Sequence, residues 1–407
     1  MTKKHTLIFL IALAALSVVL IAIFVANTPS SRAALQGGAS PNLVPQVPTG
    51  WSGSVVPTFI TGTHTTDSLY AGLGAVTYFD WAILNASDTS INTATTTCLS
   101  MDGIPINSWS APTYAPNSFQ TIEDFAYAVP EPGTFTLTLE ADCNDQLAES
   151  DESDNTWTGE FTWNPYISVI IADEHGFDKC DIATTNQMDV WRNQSPYFYT
   201  NIYIGGISRA CPNTGLTNNW IRNAVESGWN LIPTWVGPQA PCSPFNNRFS
   251  ANPGTAREQG RREADAAYQT AQALGLIPPG SPTILYYDLE AFPNQKFCRQ
   301  AAGQFLSGWT ARLHELGQLS GIYGAGCGTY PVDWPALPAP PDAVWLAHWI
   351  YSEFNSNADV WNVACVPNTL WDNFERIRQY AGGHNETYGG VALNIDSNVA
   401  LGPVVGI

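Results

Sequence analysis

Two carboxylates, Asp288 and Glu290, end the otherwise apolar stretch of residues 283–290. Residues two apart in a strand point to the same side, with Cα atoms about 6.6 Å apart. When two carboxyls are held together, repulsion and burial raise the pKa of one, which suits a general acid at neutral pH. The alternative is a structural pair bound to arginine or backbone amides. We favour the chemical interpretation, because barrel active sites form where strands end.

Two further acids, Asp178 and Asp396, end or follow short strand-like segments near the two ends of residues 164–407. If the sheet of this region closes into a barrel, its first and last strands become neighbours and these acids meet at one rim. The four carboxylates would then face one cleft. The alternative for each acid alone is an aspartate that caps a loop.

Aromatic residues give a second signal for a sugar-handling site, because tyrosine and tryptophan combine an apolar ring face with a polar group. Trp235, Tyr287 and Trp349 lie on predicted strand ends, and we expect some of them to reach the cleft. Core packing is the better explanation for most other tryptophans. The sequence contains no HExxH, GxSxG or GxxxxGK[ST] motif, which argues against a zinc protease, a serine hydrolase and a P-loop nucleotidase.

Residues 164–407 alternate apolar segments with helical ones, which predicts an α/β fold, a (β/α)8 TIM-like barrel. Eight strand candidates are residues 176–178, 199–205, 230–237, 283–290, 321–324, 343–349, 377–380 and 390–396. Helices are predicted at residues 218–227, 256–274 and 301–316. The alternative is an open doubly wound sheet, which is weaker because no GxGxxG follows the first strand.

Residues 51–163 are rich in β-branched and aromatic segments separated by turns, which predicts an all-β immunoglobulin-like sandwich. Seven carboxylates crowd residues 140–154. We favour a solvated acidic hairpin there, and a calcium site is the alternative.

Residues 1–26 predict a signal anchor or a signal peptide. Lys3 and Lys4 precede the uncharged residues 7–25, which are long enough to span a membrane. The Pro-, Gly- and Ser-rich residues 27–50 predict a flexible linker. We therefore expect the remaining chain on the extracellular face, either membrane-anchored by residues 7–25 or secreted after cleavage.

Eight cysteines in an exported chain indicate disulfides. Proximity in sequence favours the pairs Cys98–Cys143, Cys211–Cys242 and Cys327–Cys365. The formal net charge of −19 argues against nucleic-acid binding. No cysteine knuckle for zinc exists, and we expect neither a metal nor a cofactor.

Several motifs of residues 170–407 together resemble a bacterial glycoside-hydrolase-like domain related to family-25 muramidases. They are Gly176-Phe-Asp178-x-Cys180, Pro233-x-Trp-Val-Gly237-x-Gln239, Tyr286-Tyr-Asp-x-Glu290, Gly321-Ile-Tyr-Gly324, Trp345-Leu-Ala-His-Trp349, Gln379-Tyr380 and Ile395-Asp396-x-Asn398. The resemblance implies a (β/α)8 barrel whose cleft takes amino-sugar polymers such as peptidoglycan. It also implies Glu290 as proton donor and Asp288, Asp178 and Asp396 as supporting acids. We expect Gln239 and Gln379 to bind substrate with the three aromatic residues.

The acidic run and the strand before it resemble the cell-adhesion-related domain found in bacteria, which implies a spacer or adhesion module without catalysis. Two hypotheses follow for the whole chain. The first is a cell-envelope glycosidase acting on a cell-wall glycan. The alternative is a non-catalytic surface protein that binds glycan in the same acidic, aromatic cleft.

Overall fold

The computed structural model describes residues 40–72 and 74–407. Within these residues the chain forms two compact units. The first contains residues 40–67, 77–127 and 134–161, and the second contains residues 68–76, 128–133 and 162–407. The segment 1–26 and most of the expected linker lie outside the described residues. None of the helices in the described ranges is long and apolar enough to cross a bilayer.

The first nine strands form two sheets. Their bounds are β1 (Leu43–Pro45), β2 (Val55–Thr58), β3 (Leu69–Ala71), β4 (Thr77–Asn85), β5 (Thr95–Met101), β6 (Ile104–Ala111), β7 (Phe119–Tyr127), β8 (Gly133–Glu140) and β9 (Thr156–Pro165). One sheet has the order β1-β4-β2 with β7 also paired to β4, and the other has the order β3-β9-β8-β5-β6. Trp109 on β6 contacts Trp81 on β4 and Phe125 on β7, with ring centroids 5.1 and 4.9 Å apart. The two sheets therefore share an aromatic core.

The acidic run, residues 140–154, holds the edge strand β1 in place. This strand lies inside residues 27–50, so the expected flexible linker ends before it. The Glu149 carboxylate accepts a hydrogen bond from the Leu43 backbone N–H. The Asn155 amide donates to Glu149 Oε1 and Glu152 Oε2 over 3.3 and 3.2 Å. Burial, and then the charges of Glu152 and nearby aspartates, raise the pKa of Glu149 to about 7. In the described ranges, no three His, Cys, Asp or Glu side chains are placed to hold a metal.

The second unit is a closed barrel with few helices. Its strands are β10 (Ser168–Ala172), β11 (His175–Asp178), β12 (Tyr199–Gly205), β13 (Asn230–Trp235), β14 (Ile284–Asp288), β15 (Leu319–Ala325), β16 (Ala343–Ala347), β17 (Arg376–Tyr388) and β18 (Val391–Gly406). Strands β11 to β17 pair in parallel in sequence order, and β18 pairs antiparallel with both β17 and β11. This closes a ring of eight strands, to which β10 adds along β18.

The expected (β/α)8 TIM-like barrel is wrong, and the open doubly wound sheet is wrong because the sheet closes. Only four α-helices are present in the described ranges: α1 (Thr185–Gln194), α2 (Asn218–Glu226), α3 (Pro253–Ala273) and α4 (Lys296–Glu315). They follow β11 to β14. A 3₁₀ helix (Pro331–Ala336) follows β15, and no helix connects β16 to β17 or β17 to β18. A (β/α)8 barrel needs eight parallel strands, each followed by a helix.

A glycine turn reverses the last strand. Tyr388 pairs with Val391, so the hairpin loop is Gly389-Gly390, and both glycines have positive φ, at 55° and 80°. The type I′ form of a two-residue hairpin loop needs positive φ at both central positions, which glycine supplies without steric cost. Strand β18 therefore returns beside β17 instead of crossing over in parallel.

Buried arginines hold an irregular segment, residues 348–375, over the part of the barrel that lacks helices. Arg376 is fully buried and donates to the carbonyls of Leu370 and Val360, over 2.8 and 3.4 Å. Arg378 donates to the carbonyls of Asp359 and Trp361 over 3.2 and 3.0 Å. Backbone carbonyls thus satisfy two buried guanidinium groups, which would be costly to bury without partners.

Large aromatic side chains fill the barrel interior. The fully buried rings of Tyr286 and Trp345 lie edge to face, with centroids 6.4 Å apart. A Cβ on Gly321 would lie 2.3 Å from the Tyr286 ring, and one on Gly176 would lie 2.2 Å from the Tyr199 ring. Glycine is required at these two points because the rings occupy the space of a side chain.

Four disulfides are present: Cys98–Cys143, Cys180–Cys211, Cys242–Cys298 and Cys327–Cys365. The first and last pairs confirm the predictions from sequence, and the predicted Cys211–Cys242 pair is wrong. Disulfides persist in oxidising compartments, so four of them indicate an extracellular or secreted protein.

Candidate active site

The four predicted carboxylates lie at the mouth, the end of the barrel where the parallel strands β11 to β17 finish. Asp178 is the last residue of β11, and its Cα is paired with that of Asp396 on the antiparallel strand β18. Asp288 is the last residue of β14, and Glu290 follows two residues later. We call these four side chains the carboxylate cluster.

A single amide joins Asp178 to Asp396. Gln379 Nε2 on β17 lies 3.1 and 2.9 Å from the two carboxylate oxygens of Asp178 and 3.3 Å from Asp396 Oδ2. Asn398 Nδ2 donates a further hydrogen bond of 2.7 Å to Asp178. Burial, and next the charge of Asp396, raise the pKa of Asp178 well above its usual value despite these donors.

Asp288 and Glu290 form a second close pair. Asp288 is only 5% exposed, and its Oδ1 makes no hydrogen bond within the described part of the chain. Burial and the charge of Glu290 raise the pKa of Asp288 well above its usual value, and burial also raises the pKa of Glu290. Glu290 is the more exposed of the two.

Tyr323 on β15 lies among all four acids. Its Cα is paired with that of Asp288, and its hydroxyl donates to Gln379 Oε1 over 3.1 Å. Burial raises the pKa of this phenol, and the charges of all four carboxylates add to the effect. The structure therefore brings together acids from three strands that are distant in sequence.

Trp349 is the predicted aromatic residue that lies at the mouth. It is 61% exposed, and its Nε1 donates to Gln379 Oε1 over 2.8 Å. A Cβ on Gly382 would lie 2.6 Å from its ring, so the ring rests directly on the glycine backbone. An exposed indole next to carboxylates is suited to stacking on a sugar ring.

Trp235 and Tyr287 do not line the mouth, which corrects their assignment to substrate binding. The Trp235 indole donates to Glu263 on α3 over 2.7 Å. Tyr287 is fully buried, and its ring contacts Phe305 and Trp309 on α4. Both side chains therefore lie between the barrel and its helices.

The two glutamines expected to bind substrate are buried and are used within the protein. Gln239 is inaccessible; its amide donates to the carbonyl of Asp288 and accepts from the backbone N–H of Glu290, each over 2.8 Å. Gln379 is saturated by Asp178, Asp396, Tyr323 and Trp349. Both side chains position the acids, so the expectation that they touch substrate is corrected.

Sequence reasoning missed Asn398, Tyr323 and Tyr203 as site residues. Asn398 and Tyr323 stood inside the motifs quoted above, two residues from Asp396 and one residue from Gly324. Tyr203 on β12 is half-buried, and desolvation, followed by the charges of Asp178 and Asp288, raises its pKa. The available signal was that Tyr203 lies four residues after Tyr199 on β12, which places both side chains on the same face of the strand.

The described part of the chain thus combines a closed barrel with carboxylates gathered at one mouth. The sequence profile of the Rv2525c-like, glycoside hydrolase-like domain matches residues 189–400, more than half of the chain. The chain therefore belongs to this family. No curated protein matches it.

Solved structures resemble the chain only distantly. An uncharacterized protein of B. stearothermophilus has 17% identity and a TM-score of 0.39, covering 56% of this chain and 95% of that one. The CARDB domain of the PF1109 protein from Pyrococcus furiosus, in complex with di-metal ions, has 12% identity and a TM-score of 0.24, covering 31% and 97%. The β-glucuronidase of Parabacteroides merdae has 13% identity and a TM-score of 0.32, covering 69% and 34%. None confirms a relation to family-25 muramidases.

Proposed function

We propose that the barrel hydrolyses glycosidic bonds in an amino-sugar polymer such as peptidoglycan, with Glu290 as general acid. The observation that supports this most is the carboxylate cluster, in which burial raises the pKa of Asp178, Asp288 and Glu290. Glycosidases use a protonated carboxyl and a second carboxyl on either side of the scissile bond. Membership of a glycoside hydrolase-like family also supports a glycan as partner.

Glu290 suits the acid role because it is more exposed than Asp288 and its pKa is raised. Its proton would pass to the glycosidic oxygen as the C–O bond breaks, and water would then add to the sugar carbon and lose a proton to a carboxylate. Asp288 is the more buried acid of this pair and would support Glu290 in the protonated form that its own raised pKa favours.

Asp178 and Asp396 would stabilise the positive charge that develops on the sugar. Gln379 fixes both carboxylates before substrate arrives, and preorganised charge of this kind is the largest contribution to many enzymatic rates. The exposed ring of Trp349 would hold a neighbouring sugar by stacking.

The second candidate is a surface protein that binds glycan without cleaving it. Burial favours this alternative, since Asp178 is 2% and Asp288 5% exposed. These acids would then hold the shape of the mouth while Glu290, Asp396 and Trp349 contact the saccharide.

Substitution of Glu290 by glutamine separates the two candidates. The full protein and its Glu290→Gln variant are incubated with purified cell walls, and new reducing ends and bound protein are both measured. If the protein is a hydrolase, the variant should release no new reducing ends but should still bind the cell walls. Glu226→Gln on α2 is the control and should cleave normally. Undiminished cleavage by Glu290→Gln rejects the acid role, and binding without cleavage by the wild type supports the second candidate.

A further inference from the structure

A groove of about 750 Å³ lies outside the barrel, between the beginnings of α3 and α4 and the 3₁₀ helix. Its polar lining comes from Asn294, Lys296, Arg299, Gln300, Gln304 and Asp333. The volume is in the range of small-molecule sites, roughly 300–1,000 Å³. No residue of the carboxylate cluster lines this groove.

The groove opens at the same end of the barrel as the carboxylate cluster, because α3 and α4 begin where β13 and β14 have ended. Glu290 and Asn294 are four residues apart, so their Cα atoms lie at most about 14 Å from each other. The connecting segment is fixed: Tyr330 donates to the carbonyl of Phe292 over 3.2 Å, and the Phe292 N–H donates to Gly328 over 3.1 Å. One short oligosaccharide can therefore contact both places.

The charges of the groove favour an anion. Arg299 is paired with Asp333 through two hydrogen bonds of 2.8 and 2.6 Å and stacks on Tyr330 at 4.7 Å. Lys296 has no carboxylate partner within the described residues, so it leaves the groove with an excess positive charge. This excess lies on a chain whose formal net charge is −19, where an acidic ligand would otherwise be repelled.

The remaining polar groups suit sugar hydroxyls. The side-chain amides of Gln300 and Gln304 make no hydrogen bond in the described ranges, and each offers two donors and an acceptor. Gly303 and Leu337 add apolar lining to the groove. A sugar ring that carries a carboxylate matches this combination of one cation, free amides and an apolar surface.

We propose that this groove binds a carboxylate-bearing sugar unit of the glycan whose neighbouring bond reaches Glu290. The inference rests on the proposed function, because that function identifies the ligand as a glycan. It adds a substrate class: acidic amino-sugar polymers should bind more tightly than neutral ones of equal length.

Calorimetric titration of the full protein tests this assignment, with Glu290→Gln present throughout to prevent turnover. The probes are a hyaluronan hexasaccharide, a chitin hexasaccharide and tetraglutamate. Lys296→Gln should weaken hyaluronan binding roughly tenfold and leave chitin binding unchanged, since one charge-assisted hydrogen bond is lost. Arg222→Gln, which removes a surface charge on α2, is the matched control and should have no effect.

Three results overturn the assignment: no hyaluronan binding, equal binding by the Lys296→Gln variant, or an equal Lys296-dependent affinity for tetraglutamate, which would make the groove a peptide site. Reducing-end release by the wild type is scored separately. If the wild type releases no reducing ends but binds hyaluronan in a Lys296-dependent manner, the groove assignment stands and the hydrolase proposal fails. If it releases reducing ends but shows no such binding, only the hydrolase proposal stands.

Discussion

Asp178 and Asp396 face each other across an antiparallel strand pair, and one amide nitrogen, Gln379 Nε2, donates to both carboxylates. Gln379→Leu removes this donor at nearly constant volume. We expect kcat/KM on cell walls to fall about 100-fold, because small misplacement of catalytic groups costs that much. The pH profile should change as well, since Asp178 loses hydrogen bonds that favour its charged form. Gln272→Leu, exposed on α3, is the control; an unchanged profile in Gln379→Leu would contradict the positioning role.

The activity should be lost as pH rises through the pKa of Glu290, because a general acid works only while protonated. Burial raises this pKa above the ordinary glutamate value, so activity should persist above the pH where an exposed glutamate ionises. The measurement is kcat/KM from about pH 4 to about pH 9. If the residual activity of Glu290→Gln falls at alkaline pH in the same way, the proton donated to the leaving oxygen comes from another group.

Stability should also depend on Asp288. Its raised pKa means that the folded state binds a proton more tightly than the unfolded state, so its contribution is present at low pH and is lost as pH rises through the folded pKa. Asp288→Asn should therefore raise Tm at neutral pH, by about 2–4 °C for each kcal/mol, and the gain should vanish near pH 4, roughly the unfolded pKa. Asp189→Asn, exposed on α1, should show neither effect. A pH-independent change would contradict the prediction.

Gly382→Ala should displace the Trp349 ring, since the new Cβ would lie 2.6 Å from it. We expect glycan affinity to fall roughly 2- to 10-fold with little change in Tm, because an exposed ring can swing away. Trp349→Ala should reproduce the loss. Gly215→Ala, where the nearest atom is 3.6 Å away, should bind normally. Full affinity in both Trp349 and Gly382 variants would remove the ring from the binding site.

Gly260→Ala tests the packing of α3 on α4. Its Cβ would lie 2.0 Å from the carbonyl oxygen of Phe305, and backbone cannot move aside as a flexible side chain can. Overpacking of this kind typically costs about 1–3 kcal/mol of unfolding free energy, measured by denaturant titration. Gly254→Ala, at the start of α3 with 3.4 Å of clearance, should be neutral or stabilising. Equal stability of the two variants would show that the helices adjust.

The strands of the barrel were predictable because each is an apolar run bounded by turn residues. Each of the eight candidates overlaps one of the strands β11 to β18, although β17 and β18 extend well beyond the predicted residues 377–380 and 390–396. The second half of the barrel was mispredicted because the alternation of strands with helices was assumed to continue past β15, where the sequence has no helical periodicity. The Gly389-Gly390 pair between two strand patterns was a hairpin signal that contradicts a parallel crossover.

The acids could be predicted as candidates, but their contacts could not. Pairing of Asp178 with Asp396 follows from barrel closure, which was argued from the sequence, whereas the shared amide of Gln379 depends on the register of β17. The assignment of Tyr287 to the cleft could have been avoided. Neighbouring residues in a strand face opposite sides, so Tyr287, between Tyr286 and Asp288, cannot share their face.

Three of the four disulfides join loops around the mouth in successive pairs: the loop after β11 to that after β12, the loop after β13 to the start of α4, and the loop after β15 to that after β16. With free thiols, the strands would still close around their aromatic interior, but the loops that carry Glu290 and Trp349 would lose their cross-links. Reduction should therefore loosen the loops of the mouth before it opens the barrel, so the arrangement of the carboxylate cluster depends on the oxidising compartment in which such disulfides persist.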